Sequence, residues 1–157
     1  MHLTHKILVA AAALLLASQH ASAASVTCEP TWYSARLTNY TSYPDPGSEE
    51  CLAYNGCTWA GQFYGLPDQK MSESWVKSHN IAAVHLKDWP WLKLKILKLR
   101  QGGKEIDVRV IDVCADTDCD GCCTQNLRGK DHLIDIEKYT MERFGAGDGE
   151  VKFQVCQ

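Results

Sequence analysis

The sequence predicts a small, mainly β domain of the compact barrel kind, stapled by disulfides. Three observations carry this: short runs of alternating apolar and polar residues, eight cysteines that all follow an N-terminal apolar leader, and one helical periodicity near the C-terminus.

The leader comes first. Lys6 precedes the apolar run Ile7 to Ala17, which is too short to span a bilayer, and Ala21-Ser22-Ala23 supplies the small residues a signal peptidase requires. Residues 1–23 are therefore expected to be a secretory signal and residues 24–157 a single secreted, monomeric domain with no membrane segment. Removing the signal takes away one of the 16 basic side chains and none of the 19 acidic ones, so the mature chain is mildly acidic. That balance argues against nucleic acid as a partner.

Cys28, Cys51, Cys57, Cys114, Cys119, Cys122, Cys123 and Cys156 are an even set in a chain bound for an oxidising compartment, which predicts four disulfides; spacing alone leaves their pairing open. The Cys119-x-x-Cys122-Cys123 spacing resembles a zinc site. Ligation needs free thiolates, which oxidation removes, so no metal or other cofactor is expected.

Trp32 to Leu37 reads as a short strand leading into a polar, Pro-containing turn segment from Thr38 to Glu50. Asn39-Tyr40-Thr41 in that segment is an N-glycosylation sequon, which places Asn39 on the surface. Cys51 to Gly65 reads as irregular and disulfide-pinned, and Met71 to Ser78 as a short helical turn. Leu92-Lys93-Leu94-Lys95-Ile96 alternates with period two and predicts a half-buried strand whose phase slips at Leu97. Gln101 to Lys104 is a turn. Glu105 to Cys114 is the next strand, with Ile106, Val108, Val110 and Asp112 on one face in the absence of a bulge. Asp135 stands where a helix N-cap is expected, before Ile136, Tyr139, Thr140 and Phe144 at helical spacing and a stop at Gly145. Val151 to Cys156 closes the chain as an alternating strand.

Asp112 and Asp135 are the candidate chemistry. One acid at a strand end and another at a helix start, joined by a cysteine-rich loop, can converge, and a pair of acids is the minimum equipment for handling a glycosidic bond. In line with core residues, Asp112 would be desolvated and its pKa raised, as a proton donor requires. Lys87, Lys93, Lys95, Lys98 and Arg100 form a basic run that reads as the solvated face of a strand.

From Thr31 to Cys156 the sequence resembles the double-psi β-barrel superfamily that includes expansin domains, family 45 endoglucanases and RlpA-like proteins. Thr31-Trp32-Tyr33 is similar to the opening Thr/aromatic motif, Val110-Ile111-Asp112 to the strand end, Ile134-Asp135-Ile136 to the start of the barrel helix, and Ile81-Ala82-Ala83-Val84-His85 to the A-A-H segment of RlpA-like domains. The resemblance implies a six-stranded double-psi β-barrel with one or two short helices. It implies a polysaccharide groove with Asp135 as essential acid and Asp112 as its companion. Thr31, Trp32, Tyr33, His85, Trp89 and Trp91 become candidate sugar-binding residues. The second acid that the endoglucanases place soon after the aromatic motif is replaced here by Ser34-Ala35-Arg36, the nearest later candidate being Asp45. The expectation is thus a secreted expansin-like protein that binds β-glucan, chitin or peptidoglycan and loosens it without hydrolysis. The alternatives are a glycosidase or lytic transglycosylase using Asp135, and a protein-binding defence or protease-inhibitor module.

Overall fold

The computed structural model describes residues 26–157 apart from Tyr54; the expected signal over residues 1–23 lies outside them. Six strands close a mixed barrel in the order β1-β5-β2-β4-β3-β6. In chain order these are β1 (Tyr33–Tyr40), β2 (Ile81–His85), β3 (Ile96–Gln101), β4 (Lys104–Cys114), β5 (His132–Glu137) and β6 (Gly149–Cys156). Five short helices decorate it: α1 (Glu49–Ala53), α2 (Glu73–Ser78), α3 (Trp89–Leu92), α4 (Cys122–Asn126) and α5 (Lys138–Phe144).

Two strand pairs are parallel, β1·β5 and β2·β4, and the remaining neighbours are antiparallel. Exchanging β1 with β4, β2 with β5 and β3 with β6 maps this neighbour list and its directions onto themselves. The topology therefore has an internal two-fold relation that the sequence does not display as a repeat.

The barrel interior follows the period-two rule. Ala35 and Leu37 of β1, Ala82 and Val84 of β2, Leu97 and Leu99 of β3, Val108 and Val110 of β4, Ile134 and Ile136 of β5, and Val151 and Phe153 of β6 form one buried cluster, with Leu92 and Phe144 beside them. Burying each of the larger aliphatic side chains contributes roughly 1.5–3 kcal/mol. A second cluster of Phe63, Val76, Ile81 and Ile111 lies on the outer side, where the long β1–β2 connection and α2 wrap the barrel wall. That wrap is what partly buries outward-facing side chains of β2, β4 and β5.

All eight cysteines are paired, as Cys28–Cys156, Cys51–Cys57, Cys114–Cys123 and Cys119–Cys122. Next to the first of these, Thr27 and Gln157 exchange backbone hydrogen bonds of 3.0 and 2.9 Å.

Several local expectations hold. α2 falls within Met71–Ser78, capped by the Ser72 hydroxyl, which accepts from Trp75 N. Gly145 ends α5 in the left-handed region at φ 61°, where glycine carries no Cβ penalty. Four others are corrected. β1 continues through Thr38, Asn39 and Tyr40, which pair with Asp135, Ile136 and Glu137 of β5, so the turn segment begins only after Tyr40. Leu92 to Lys95 is not a strand: Leu92 is buried at the end of α3, Lys93 N donates to Trp89 O, and Leu94 is 45% exposed at φ 60°. A bulge skips Ile111, because Ala82 pairs with Val110 but Ala83 with Asp112. Asp112 therefore leaves the core face and turns outward. Finally, Asp135 lies inside β5. The cap of α5 is Glu137, whose side chain accepts from Tyr139 N at 2.7 Å.

Candidate functional site

Strand register builds the site. Thr38 pairs with Asp135, Asp135 with Ala83, and Ala83 with Asp112, so β1, β5, β2 and β4 present one row of four residues. Their neighbours Leu37, Ile134, Ile136, Ala82 and Val84 point into the barrel, which fixes the row on the outer face. The two acids thus flank the small side chain of Ala83, two strands apart, at a Cα separation of roughly 10 Å. The two acids share one sheet face, across strands and not between a strand end and a helix start.

Each acid has its own partner. The Thr38 hydroxyl donates to Asp135 Oδ1 at 2.8 Å. The Tyr64 amide donates to Asp112 Oδ1 at 3.0 Å. The amide is held there because Gly65 N donates to Ile111 O at 2.8 Å, an approach so close that a Cβ on Gly65 would stand 2.8 Å from both the Ile111 carbonyl oxygen and the Trp89 ring. Neither acid has a Lys, Arg or His ion-pair partner among the described residues.

Both carboxyls are half-buried, and the loss of water dominates their titration. Desolvation pushes Asp135 up to about 7; the Thr38 hydroxyl opposes this, while the negative fields of Asp148 and Asp112 add to it. Desolvation also pushes Asp112 up to about 6, restrained by the Tyr64 and Val113 amides and the Tyr40 hydroxyl, with Asp118 acting upward. Near neutral pH, Asp135 is the acid that more readily keeps a proton and Asp112 the one that more readily gives it up.

Tyr40 belongs to the same surroundings. Its buried hydroxyl oxygen and that of Ser42 have no hydrogen-bond partner of good geometry among the described residues, although the Tyr40 hydroxyl stands close enough to Asp112 to act on its charge. Burial, and then the fields of Asp112, Asp135 and Glu137, hold the Tyr40 phenol well above its usual range, so it remains a proton donor. Glu137, two residues beyond Asp135 and fully buried, is different: its two oxygens accept from Tyr139 N at 2.7 Å and Ser42 N at 3.4 Å. An acid committed to backbone amides is a cap and a scaffold.

The aromatic residues are divided. Tyr64, beside Asp112, is 58% exposed and meets the Trp89 ring edge-on at a centroid distance of 5.2 Å. Trp89 supports this corner from beneath. Tyr33, the first residue of β1, and Trp32 just before it lie five and six residues ahead of Thr38, roughly 16–20 Å from the acid row. The Arg100 guanidinium covers the Trp32 ring at 4.2 Å, and Tyr33 joins Trp91, His132 and Phe153 in an aromatic cluster at the barrel end. The structure does not bring Thr31, Trp32, Tyr33 or Trp91 to the acids.

His85 is buried under α4. Its Nδ1 accepts from Lys87 N at 3.2 Å, so Nε2 carries the proton and donates to Thr124 Oγ1 at 3.1 Å; that hydroxyl in turn donates to Asp116 Oδ2 at 2.6 Å. Asp45 accepts from Gly47 N at 2.8 Å in an exposed turn and takes no part in the row. Asn39 is exposed, and its amide donates to Asp148 Oδ1 at 3.1 Å. Of the basic run only Lys98 and Arg100 lie on a strand, β3, where they pair with Asp107 at 3.1 Å and Glu105 at 2.5 Å; Lys87 sits in the turn after β2 against Asp88, and Lys93 and Lys95 precede β3.

Sequence reasoning missed Thr38, Tyr40 and Glu137. An unbroken alternation through β1 and β5 would have found them, because they lie on the outer face with Asp135. Nothing in the sequence marks Tyr64, which reaches Asp112 across 48 residues through a loop. The described surface also has a concavity of about 310 Å³ lined by Gln62, Phe63 and residues 66–70, which includes neither acid. The chain matches no known protein-family model and none of the curated proteins, so the functional reading rests on this geometry.

Proposed function

We propose that this chain is a secreted, expansin-like double-psi β-barrel protein that binds a cell-wall polysaccharide (β-glucan, chitin or peptidoglycan) and loosens its packing without cleaving it. One observation carries the reading: Asp135 and Asp112 share an outer face in register across Ala83, without an ion-pair partner among the described residues and beside the exposed ring of Tyr64. Asp135, protonated near neutral pH, donates to a glycosidic or hydroxyl oxygen. Asp112, ionised first, accepts from a sugar hydroxyl, and Tyr64 offers its face to a pyranose ring. The mixed barrel with two parallel pairs supports the double-psi assignment, and four disulfides support export.

The test is sedimentation with insoluble cellulose, chitin and peptidoglycan. Wild type is expected in the pellet with at least one of them, and Asp135→Ala is expected to lose about fivefold in affinity, the scale of one hydrogen bond from a neutral donor. Absence from all three pellets would reject the proposal.

A hydrolytic reading is favoured by a specific observation, the two-strand separation of the acids. Side chains reaching from Cα atoms roughly 10 Å apart can span the 6.5–9.5 Å used by an inverting acid and base. It predicts soluble reducing ends that vanish in both Asp135→Asn and Asp112→Asn; intact glycan after prolonged incubation removes it.

A further inference from the structure

We infer that the four cysteines between Cys114 and Cys123 form a thiol–disulfide exchange site, able to interconvert two disulfide pairings when met by a small external thiol of the glutathione class. The geometry places two bridges against one another. Cys119–Cys122 and Cys114–Cys123 are separate disulfides, yet Cys119 Sγ lies 3.6 Å from Cys123 Sγ and Cys122 Sγ lies 3.9 Å from it. The sulfurs of Cys114, Cys122 and Cys123 all fall within 4.8 Å of one another. Cys119, Cys122 and Cys123 therefore each have a second sulfur within 3.9 Å, and Cys114 has Cys122 within 4.8 Å.

The bridge that opens first is Cys119–Cys122. It closes only three residues of chain, so it restricts the unfolded state least of the four. Both its cysteines are partly exposed, whereas Cys123 is 1% exposed.

The exchange balances without net oxidation. An external thiolate attacks Cys122 Sγ, forming a mixed disulfide and releasing the Cys119 thiolate. That thiolate attacks Cys123 Sγ, making Cys119–Cys123 and releasing the Cys114 thiolate. Cys114 then attacks the mixed disulfide at Cys122, making Cys114–Cys122 and returning the external thiol. Two disulfides are present at the start and at the end, and the thiol is regenerated.

The product re-ties α4 to the end of β4. Cys122 and Cys123 open that helix, and Thr124 beside them binds both Asp116 and His85. The pairing is thus coupled to the anchoring of the His85 side chain, two residues along β2 from Ala83.

Two measurements test this on the whole oxidised chain, and neither depends on glycan binding. In Cys114→Ser, the thiol left at Cys123 is expected to attack the neighbouring bridge, so iodoacetamide should label Cys122 to about a tenth or more of the level at Cys123. Label confined to Cys123 would overturn the inference. Wild type incubated with reduced glutathione, acid-quenched and fragmented without reduction should yield Cys119–Cys123 together with Cys114–Cys122. Recovery of the original pairings alone after prolonged incubation would overturn it equally, and this measurement decides the matter if the variant does not fold.

Discussion

The two parallel strand pairs, β1·β5 and β2·β4, occupy equivalent places in the barrel, yet they hold their acids by different means. In β1·β5 the strands run in regular register, and Asp135 receives only a side-chain hydroxyl, from Thr38. In β2·β4 a bulge interrupts the register, and Asp112 receives a main-chain amide from a distant loop. A fixed amide stabilises the ionised carboxylate more firmly than a rotatable hydroxyl. Desolvation raises both: Asp112, restrained by the Tyr64 and Val113 amides and the Tyr40 hydroxyl, reaches about 6, whereas Asp135, opposed by one hydroxyl and raised further by the fields of Asp148 and Asp112, reaches about 7. Desolvation, donors and neighbouring charge together separate the two acids into a proton holder and a proton acceptor.

The broadest way to test that difference is through pH. Both acids titrate above their unfolded values, so the folded chain retains protons that the unfolded chain has already lost. Their neutral forms add no penalty below about pH 4, and stability falls as pH rises through 6 and 7. Glu73, Asp116 and Glu150 are shifted downward and act at lower pH with the opposite sign, while Glu137, also raised by burial, acts with the same sign as the two aspartates. Urea unfolding at pH 5 and 7.5 should differ by on the order of 3 kcal/mol, less than the full shifts would give because both groups keep partial contact with water. Asp135→Asn should flatten this dependence more than Asp112→Asn; equal flattening would erase the distinction.

Gly65→Ala acts on one side of the comparison. Its new methyl would press on a backbone carbonyl and an indole, forcing the Tyr64 amide away from Asp112, at a cost of about 2 kcal/mol by denaturant unfolding. The carboxyl midpoint of Asp112, followed by NMR, should rise while that of Asp135 stays in place. Thr38→Val is the smaller counterpart. Loss of one hydroxyl donor should cost about 1 kcal/mol and raise the Asp135 midpoint alone. A movement of both midpoints in either variant would mean that the two acids behave as one unit.

What could be read beforehand depended on how many forces agreed on a residue. Val151 to Cys156 alternates along its whole length and is a strand, and Gly145 satisfies both periodicity and φ. Leu92, Leu94 and Ile96 imitated the same alternation. There the Trp89-Pro90-Trp91 start of a helical turn prevailed, because proline's fixed φ and missing N–H suit a first turn and disfavour a central strand. Asp135 was readable as a candidate acid but not as a strand residue, since Ile134-Asp135-Ile136 is too short to separate a strand from the approach to a helix. The bulge at Ile111 had no local signal, for it arises from the competing demands of two apolar clusters on consecutive residues. The acid row is likewise a property of register between strands remote in sequence, and single-strand patterning cannot supply it.

The bridge between Cys28 and Cys156 turns nearly the whole described chain into a covalent ring. Tension applied outside those two residues passes through sulfur at the end of β6 and bypasses the chain between them, so a pull on the two ends leaves most of the barrel unloaded.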